Sequence, residues 1–159
     1  MATLLQATRE RLIARDIRIY KELKITRTVG GTDYVSSPVH VEGRPTRNVD
    51  RQSQTATLDF TVPNPYGDYS VGKSSSINTV AATFKPLLDD NNKVVYREGI
   101  EGSDGAIQWF TVFTGYIAGH TDNGGSIEVK CEDRMSLMLN ADAPETSYSV
   151  SQNWMKPFS

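Results

Sequence analysis

The chain has 159 residues, 38% of them hydrophobic, enough for one compact core with a short appendage. Net charge is −2, with 17 basic against 19 acidic side chains, which excludes a global basic field for nucleic acid or an anionic membrane. The lone Cys131 excludes an internal disulfide and suits a reducing compartment.

The first sixteen residues predict a helix. Thr3 and Gln6 have capping-box spacing, and Leu5, Leu12 and Ile13 fall roughly on one face, away from Arg9, Glu10 and Arg15. The stretch has no apolar core and no cleavage site of a signal peptide, and no run in the chain is long enough to span a bilayer. A helix this short needs a surface to pack on, so residues 1–16 are read as a docking helix.

From Ile17 the period changes to two. Ile17, Ile19, Leu23 and Ile25 alternate with Arg18, Tyr20, Glu22 and Lys24, and Gly30-Gly31 closes the strand. Tyr34 to Val41 is a weaker strand interrupted by Pro38. Gln54 to Val62 alternates most clearly, with Ala56, Leu58, Phe60 and Val62 on one side and Thr57, Asp59 and Thr61 on the other. Pro63 and Pro65 end it, and a Gly, Ser and Asn-rich loop runs to Asn78. Thr79 to Leu88 is a further candidate strand, followed by the turn Asp89-Asp90-Asn91-Asn92 and the short run Val94-Val95-Tyr96.

Gln108 to Ala118 is the most apolar segment and predicts a central strand covered on both faces, with Trp109 and Tyr116 in the core. Gly115 inside it signals a bulge or a close backbone approach. Asp122-Asn123-Gly124-Gly125 is a hairpin turn, and Ile127, Val129 and Cys131 alternate with charged neighbours. Arg134 to Asn140 reads as one or two helical turns. The tail 141–159 is polar and extended, with Trp154 and Phe158 in it. The sum is a mainly β protein: an antiparallel β-barrel or sandwich over 17–140, an N-terminal helix and one short C-terminal helix.

Gly67-Asp68-Tyr69-Ser70-Val71-Gly72-Lys73-Ser74 has the letters of a nucleotide-binding P-loop. That chemistry needs a buried strand before the loop and a helix after it, so that backbone N–H groups converge on phosphate. Two prolines precede this loop and β-branched, cap-preferring residues follow it, so it reads as a surface loop, and Lys73 as a surface lysine. His40, His120 and Cys131 are too scattered to predict a metal site, and Asp89-Asp90-Asn91-Asn92 has Lys93 and Val94 where a calcium loop needs a ligand and a glycine. Glu98 and Glu101 read as carboxylates of a solvated loop. The reading is therefore non-enzymatic, with no catalytic residues, no cofactor and no metal. Tyr20, Tyr66 and Tyr69 are the set that a carbohydrate-binding β-sandwich would use.

Six segments in order carry a resemblance: Ile17-Arg18-Ile19; Thr32-Asp33-Tyr34-Val35; Gln54 to Phe60; Asn64-Pro65-Tyr66-Gly67-Asp68-Tyr69-Ser70; Val112-Phe113-Thr114-Gly115-Tyr116-Ile117; and Val129 to Leu137. Together they resemble the N-terminal module of tailed-phage baseplate hub and tail-tip proteins. The resemblance implies a tail-tube-like β-barrel and a structural role in the virion tail, assembled in the host cytoplasm. It also implies a homo-oligomeric ring, trimeric or hexameric, touching neighbouring tail proteins, with no specific nucleic acid and no membrane insertion. The expected interface residues are Leu5 and Leu12 on the helix, Tyr66 and Tyr69 in the loop, and Trp154 and Phe158 in the tail. The sequence departs from the family in its shortness and in the added N-terminal helix.

Overall fold

The computed structural model describes residues 5–14, 17–69 and 87–140. In chain order these form α1 (Gln6–Ala14), β1 (Ile19–Val29), β2 (Thr32–Val35), β3 (Glu42–Asp50), β4 (Thr55–Pro63), β5 (Lys93–Glu101), β6 (Ile107–Asp122), β7 (Ser126–Glu132) and α2 (Arg134–Asn140). The seven strands make one antiparallel sheet in the order β2-β1-β5-β6-β7-β4-β3. The expected mainly β fold with a helix at each end is what the chain adopts.

Strand β6 shapes this sheet. Its residues 107–116 pair with β5, and its residues 116–122 pair with β7. Val112 is extra where the β5 register shifts, and Ala118 is extra where the β7 register shifts. Bulges of this kind bend a strand and let it pass from one layer to another. The result is sandwich-like: β2, β1, β5 and the first half of β6 face the second half of β6, β7, β4 and β3. The barrel alternative is corrected, because β2 and β3 are separate edges and, among the described residues, no ladder closes the cylinder.

The core lies between the layers. Leu23, Ile25, Val94, Tyr96 and Phe113 meet Ile117, Leu58, Phe60, Val62, Ile127, Val129 and Cys131, all buried. Leu58 pairs with Cys131, Phe60 with Val129 and Val62 with Ile127, so one face of the β4–β7 ladder is wholly apolar. Gly115 shows the expected close approach: a Cβ there would meet the Glu132 carbonyl and the Phe113 ring.

Other expectations need correction. Residues Ile17 and Ile19 share a face with Leu23 and Ile25 but stay exposed, because β1 starts beyond the end of the core. The second strand stops at Val35; residues 36–41 follow as a link whose Ser36 and Val39 amides donate to the Ile25 and Leu23 carbonyls (2.8 Å each). Strand β3, with its Gly43 and Pro45 and its largely polar surface, carries no clear period-two signal. Strand β6 is central but not covered on both faces, since Thr111 and Thr114 are exposed and Trp109 and Tyr116 are only half-buried. Of the candidate strand at 79–88, residues 79–86 lie outside the described residues, and Leu87 and Leu88 are buried in a turn.

Candidate interaction surface

The inner face of β1, β5 and β6 can be followed row by row. Leu23 pairs with Tyr96, and Tyr96 with Phe113, inside the core. The next row is Lys21, Glu98 and Phe110; the last is Ile19, Ile100 and Gln108. The sheet thus runs past its own core. Helix α1 is fastened at that far end: the Leu5 amide donates to Gln108 Oε1 (2.9 Å), the Ser103 amide to the Ala7 carbonyl (3.1 Å) and Ser103 Oγ to Glu10 Oε2 (2.9 Å). Gly102 lets the helix approach, because a Cβ there would stand 2.9 Å from that of Ala7.

This docking buries Thr8 and half-buries Leu12, yet leaves a set of large apolar side chains in water. Leu5 is 57% exposed, Ile13 75%, Ile17 44% and Ile19 56%. Leu5 and Ile19 lie at one end of the molecule, since the Leu5 amide bonds Gln108 and the Gln108 row ends at Ile19; Ile13 and Ile17 stand between them in the chain. Single exposed apolar residues are ordinary; a contiguous group of them is a candidate contact surface.

On the outer face Trp109 lies opposite Gly99, whose lack of a side chain makes room for the indole. The Arg97 guanidinium sits over that ring, 5.4 Å from its centroid. Arg97 also donates to Glu22, through Nε at 2.9 Å and through Nη2, and Lys24 approaches the same carboxylate at 3.2 Å. The Arg97 hydrogen bond holds the Glu22 carboxyl below the usual carboxylate range. Tyr20 donates to Glu101 at 2.6 Å, which raises the phenol pKa. Trp109 is therefore part of an outer-face ionic cluster rather than of the core, and Glu98 and Glu101 are strand residues in ion pairs rather than loop carboxylates.

The remaining sequence candidates fall in different places. Tyr66 is 80% exposed on the turn Asn64-Pro65-Tyr66-Gly67, closed by the Gly67 amide on the Asn64 carbonyl (3.0 Å). The buried Asn64 fixes that turn, its amide donating to Gly125 O (2.8 Å) and its Oδ1 accepting from the Tyr69 amide (3.0 Å). Tyr69 packs half-buried against the core, where burial raises its pKa, so it offers less surface than Tyr66. Tyr20, Tyr66 and Tyr69 thus have three different environments. Trp154, Phe158 and the 70–74 part of the P-loop-like stretch, Lys73 included, lie outside the described residues. The strand before that stretch, β4, pairs antiparallel on both sides, unlike the parallel strand that delivers a P-loop.

Among the described residues no three His, Cys, Asp or Glu side chains gather as a metal site requires. Cys131 is in the core, where burial pushes its thiol up to about 12. His40 is exposed in the link and His120 on β6, beside an open depression of about 610 Å³ that Asp59, Glu128 and Lys130 also line. At the junction of β7 and α2, Asp133 caps the helix by accepting from the Ser136 amide (2.7 Å) and binds β4 through the Ala56 amide (2.7 Å). The short helix is thereby fixed to the sheet, with Met135 and Met138 exposed. Among the described residues no helix is long and apolar enough to cross a membrane.

No protein-family model matches the sequence, and a search of curated proteins finds no match.

Proposed function

We propose that the chain is a structural subunit of a phage tail or baseplate, a hub or tail-tip ring component that acts through protein–protein contacts in the virion. The observation that carries this reading is the apolar end of the molecule, where Leu5, Ile13, Ile17 and Ile19 stand in water around a helix anchored to the sheet. The order of elements supports it too. The resemblance expects an aromatic-x-Gly-aromatic-Ile strand, a hairpin, and a strand ending in an acidic residue before a short Leu-bearing helix. Strand β6, the turn at 122–125, β7 with Asp133, and α2 follow in that order. Tyr66, presented on a rigid turn, is a second contact of the kind that anchors interfaces.

The chemistry of this role is passive. The sheet is the scaffold, and assembly needs interfaces of more than about 1,000 Å² in total. Sedimentation and negative-stain imaging of the purified chain test the proposal. The expected result is a closed ring that Ile13→Glu with Ile17→Glu reduces to monomers, while the unfolding free energy stays within about 0.5 kcal/mol of wild type. A wild-type chain that stays monomeric at high concentration and in the presence of tail proteins overturns it.

A further inference from the structure

The hairpin between β6 and β7 carries a reactive pair. Asn123 is the only asparagine in the chain with a glycine after it. Glycine leaves the amide nitrogen that follows the asparagine unhindered, so that nitrogen can reach the asparagine's own carboxamide. Both residues are exposed in the turn, with Gly124 at φ +84.

The chemistry of such a pair needs only water. The Gly124 nitrogen loses its proton to solvent and attacks Asn123 Cγ. The new N–C bond closes a succinimide ring, the Cγ–Nδ2 bond breaks, and the departing nitrogen takes up a proton as ammonia. Water then opens either side of the imide and leaves aspartate or isoaspartate.

The hairpin engages both reacting groups elsewhere. The Gly124 amide donates to Asp122 Oδ1 at 2.8 Å. A deprotonated amide nitrogen attacks along the direction its N–H bond held, and here that direction is taken by Asp122. The carboxylate also opposes loss of the proton, because a hydrogen bond to the N–H and a neighbouring negative charge both favour the neutral amide. Asn123 Nδ2 donates to Glu128 Oε1 at 3.1 Å, which turns the carboxamide towards β7. The Asn123 amide donates to the Ser126 carbonyl at 2.9 Å and fixes the backbone of the turn.

We propose that Asn123-Gly124 is a site of spontaneous deamidation, held latent by Asp122 and Glu128 while the hairpin is closed. Conversion puts a carboxylate where the Nδ2 donor stood, against Glu128, and the isoaspartyl product lengthens the main chain of the turn. The effect reaches the turn that presents Tyr66, because the Gly125 carbonyl accepts from the Asn64 amide and Asn64 fixes that turn.

Incubation of the full chain at mildly alkaline pH, read by peptide mass spectrometry as a gain of one mass unit at residue 123, tests the site. Folded wild type should convert more slowly than the same chain unfolded in denaturant, and Asn123→Ser should abolish the gain. Asp122 and Glu128 are exposed, so Asp122→Ala and Glu128→Ala keep the core intact. Each should speed conversion about tenfold, as loss of a hydrogen bond to a charged group implies, with β6 and β7 amide exchange unchanged. Once Asp122→Ala has converted, its Gly67 and Tyr69 amides should exchange faster than before. Folded wild type converting as fast as unfolded chain overturns the proposal, as do variants no faster than wild type. An acceleration that comes with faster exchange throughout β6 and β7 overturns it too, and unchanged Gly67 and Tyr69 exchange overturns the link to Tyr66.

Discussion

The β4–β7 ladder and the β1–β5 ladder are built from the same antiparallel pairing, yet they divide their faces differently. In β4 and β7 every inner residue from Leu58 to Val62 and from Ile127 to Cys131 is buried, and the residues between them are polar. In β1 and β5 the inner face is both apolar and buried at Leu23, Ile25, Val94 and Tyr96; the next row holds Lys21 and Glu98, and the outer face carries Glu22, Arg97 and the indole they frame. One ladder has a single dry face. The other uses both faces, one for the core and a charged row, the other for an aromatic-ionic cluster. Burial dominates the first; the second adds contacts that water weakens.

Truncation at the centre of the dry face is the strongest way to expose that difference. Leu58→Ala leaves a cavity against Cys131 and should cost about 3–4 kcal/mol in urea unfolding. Gly115→Ala strikes the strand that joins the ladders, forcing Glu132 and Phe113 apart, and should cost about 1–3 kcal/mol by the same measurement. On the two-faced ladder Glu22→Gln should cost about 1 kcal/mol or less, since Arg97 is partly exposed. That last difference should depend on pH. The Glu22 pKa is depressed in the folded state, so its contribution is fully present above the ordinary carboxylate value of 4.5 and is lost as pH falls from there through the lower folded-state value. Unfolding at pH 7 and at pH 3 should therefore show the variant and wild type converging in acid. A Glu22 loss as large as that of Leu58 would erase the contrast between the ladders.

The same contrast explains what was legible in the sequence. Strands with water on one side and core on the other print a period of two, and Gln54 to Val62 and Ile127 to Cys131 are read correctly from it. Trp109 misleads because an aromatic in an apolar run reads as core, whereas Gly99 and Arg97 build it a half-exposed seat on the outer face. Ile17 and Ile19 keep the inward period after the core has ended, which periodicity cannot show. Strand β3 is missed because its place is set by pairing with β4 and by the Arg44–Glu98 bond, both distant in sequence. Of the residues expected at interfaces, Tyr66 and Leu5 are exposed, Leu12 is half-buried and Tyr69 is turned to the core, since exposure depends on what packs alongside. The Gly99 gap opposite Trp109 is the one signal that could have relocated the indole, since a glycine in a strand marks a close approach.

Strand β6 is shared by both layers, and this has a kinetic consequence. Neither layer can mature as a local hairpin stack, because Ile25 must find Val94 and Leu58 must find Cys131, partners that stand nearly half of the chain apart. Closing such long loops is slow, so the chain belongs with domains that fold in milliseconds to seconds rather than microseconds. Until β1 and β4 arrive, β5, β6 and β7 stand as a bare three-stranded hairpin array with both of its rims open to wrong partners.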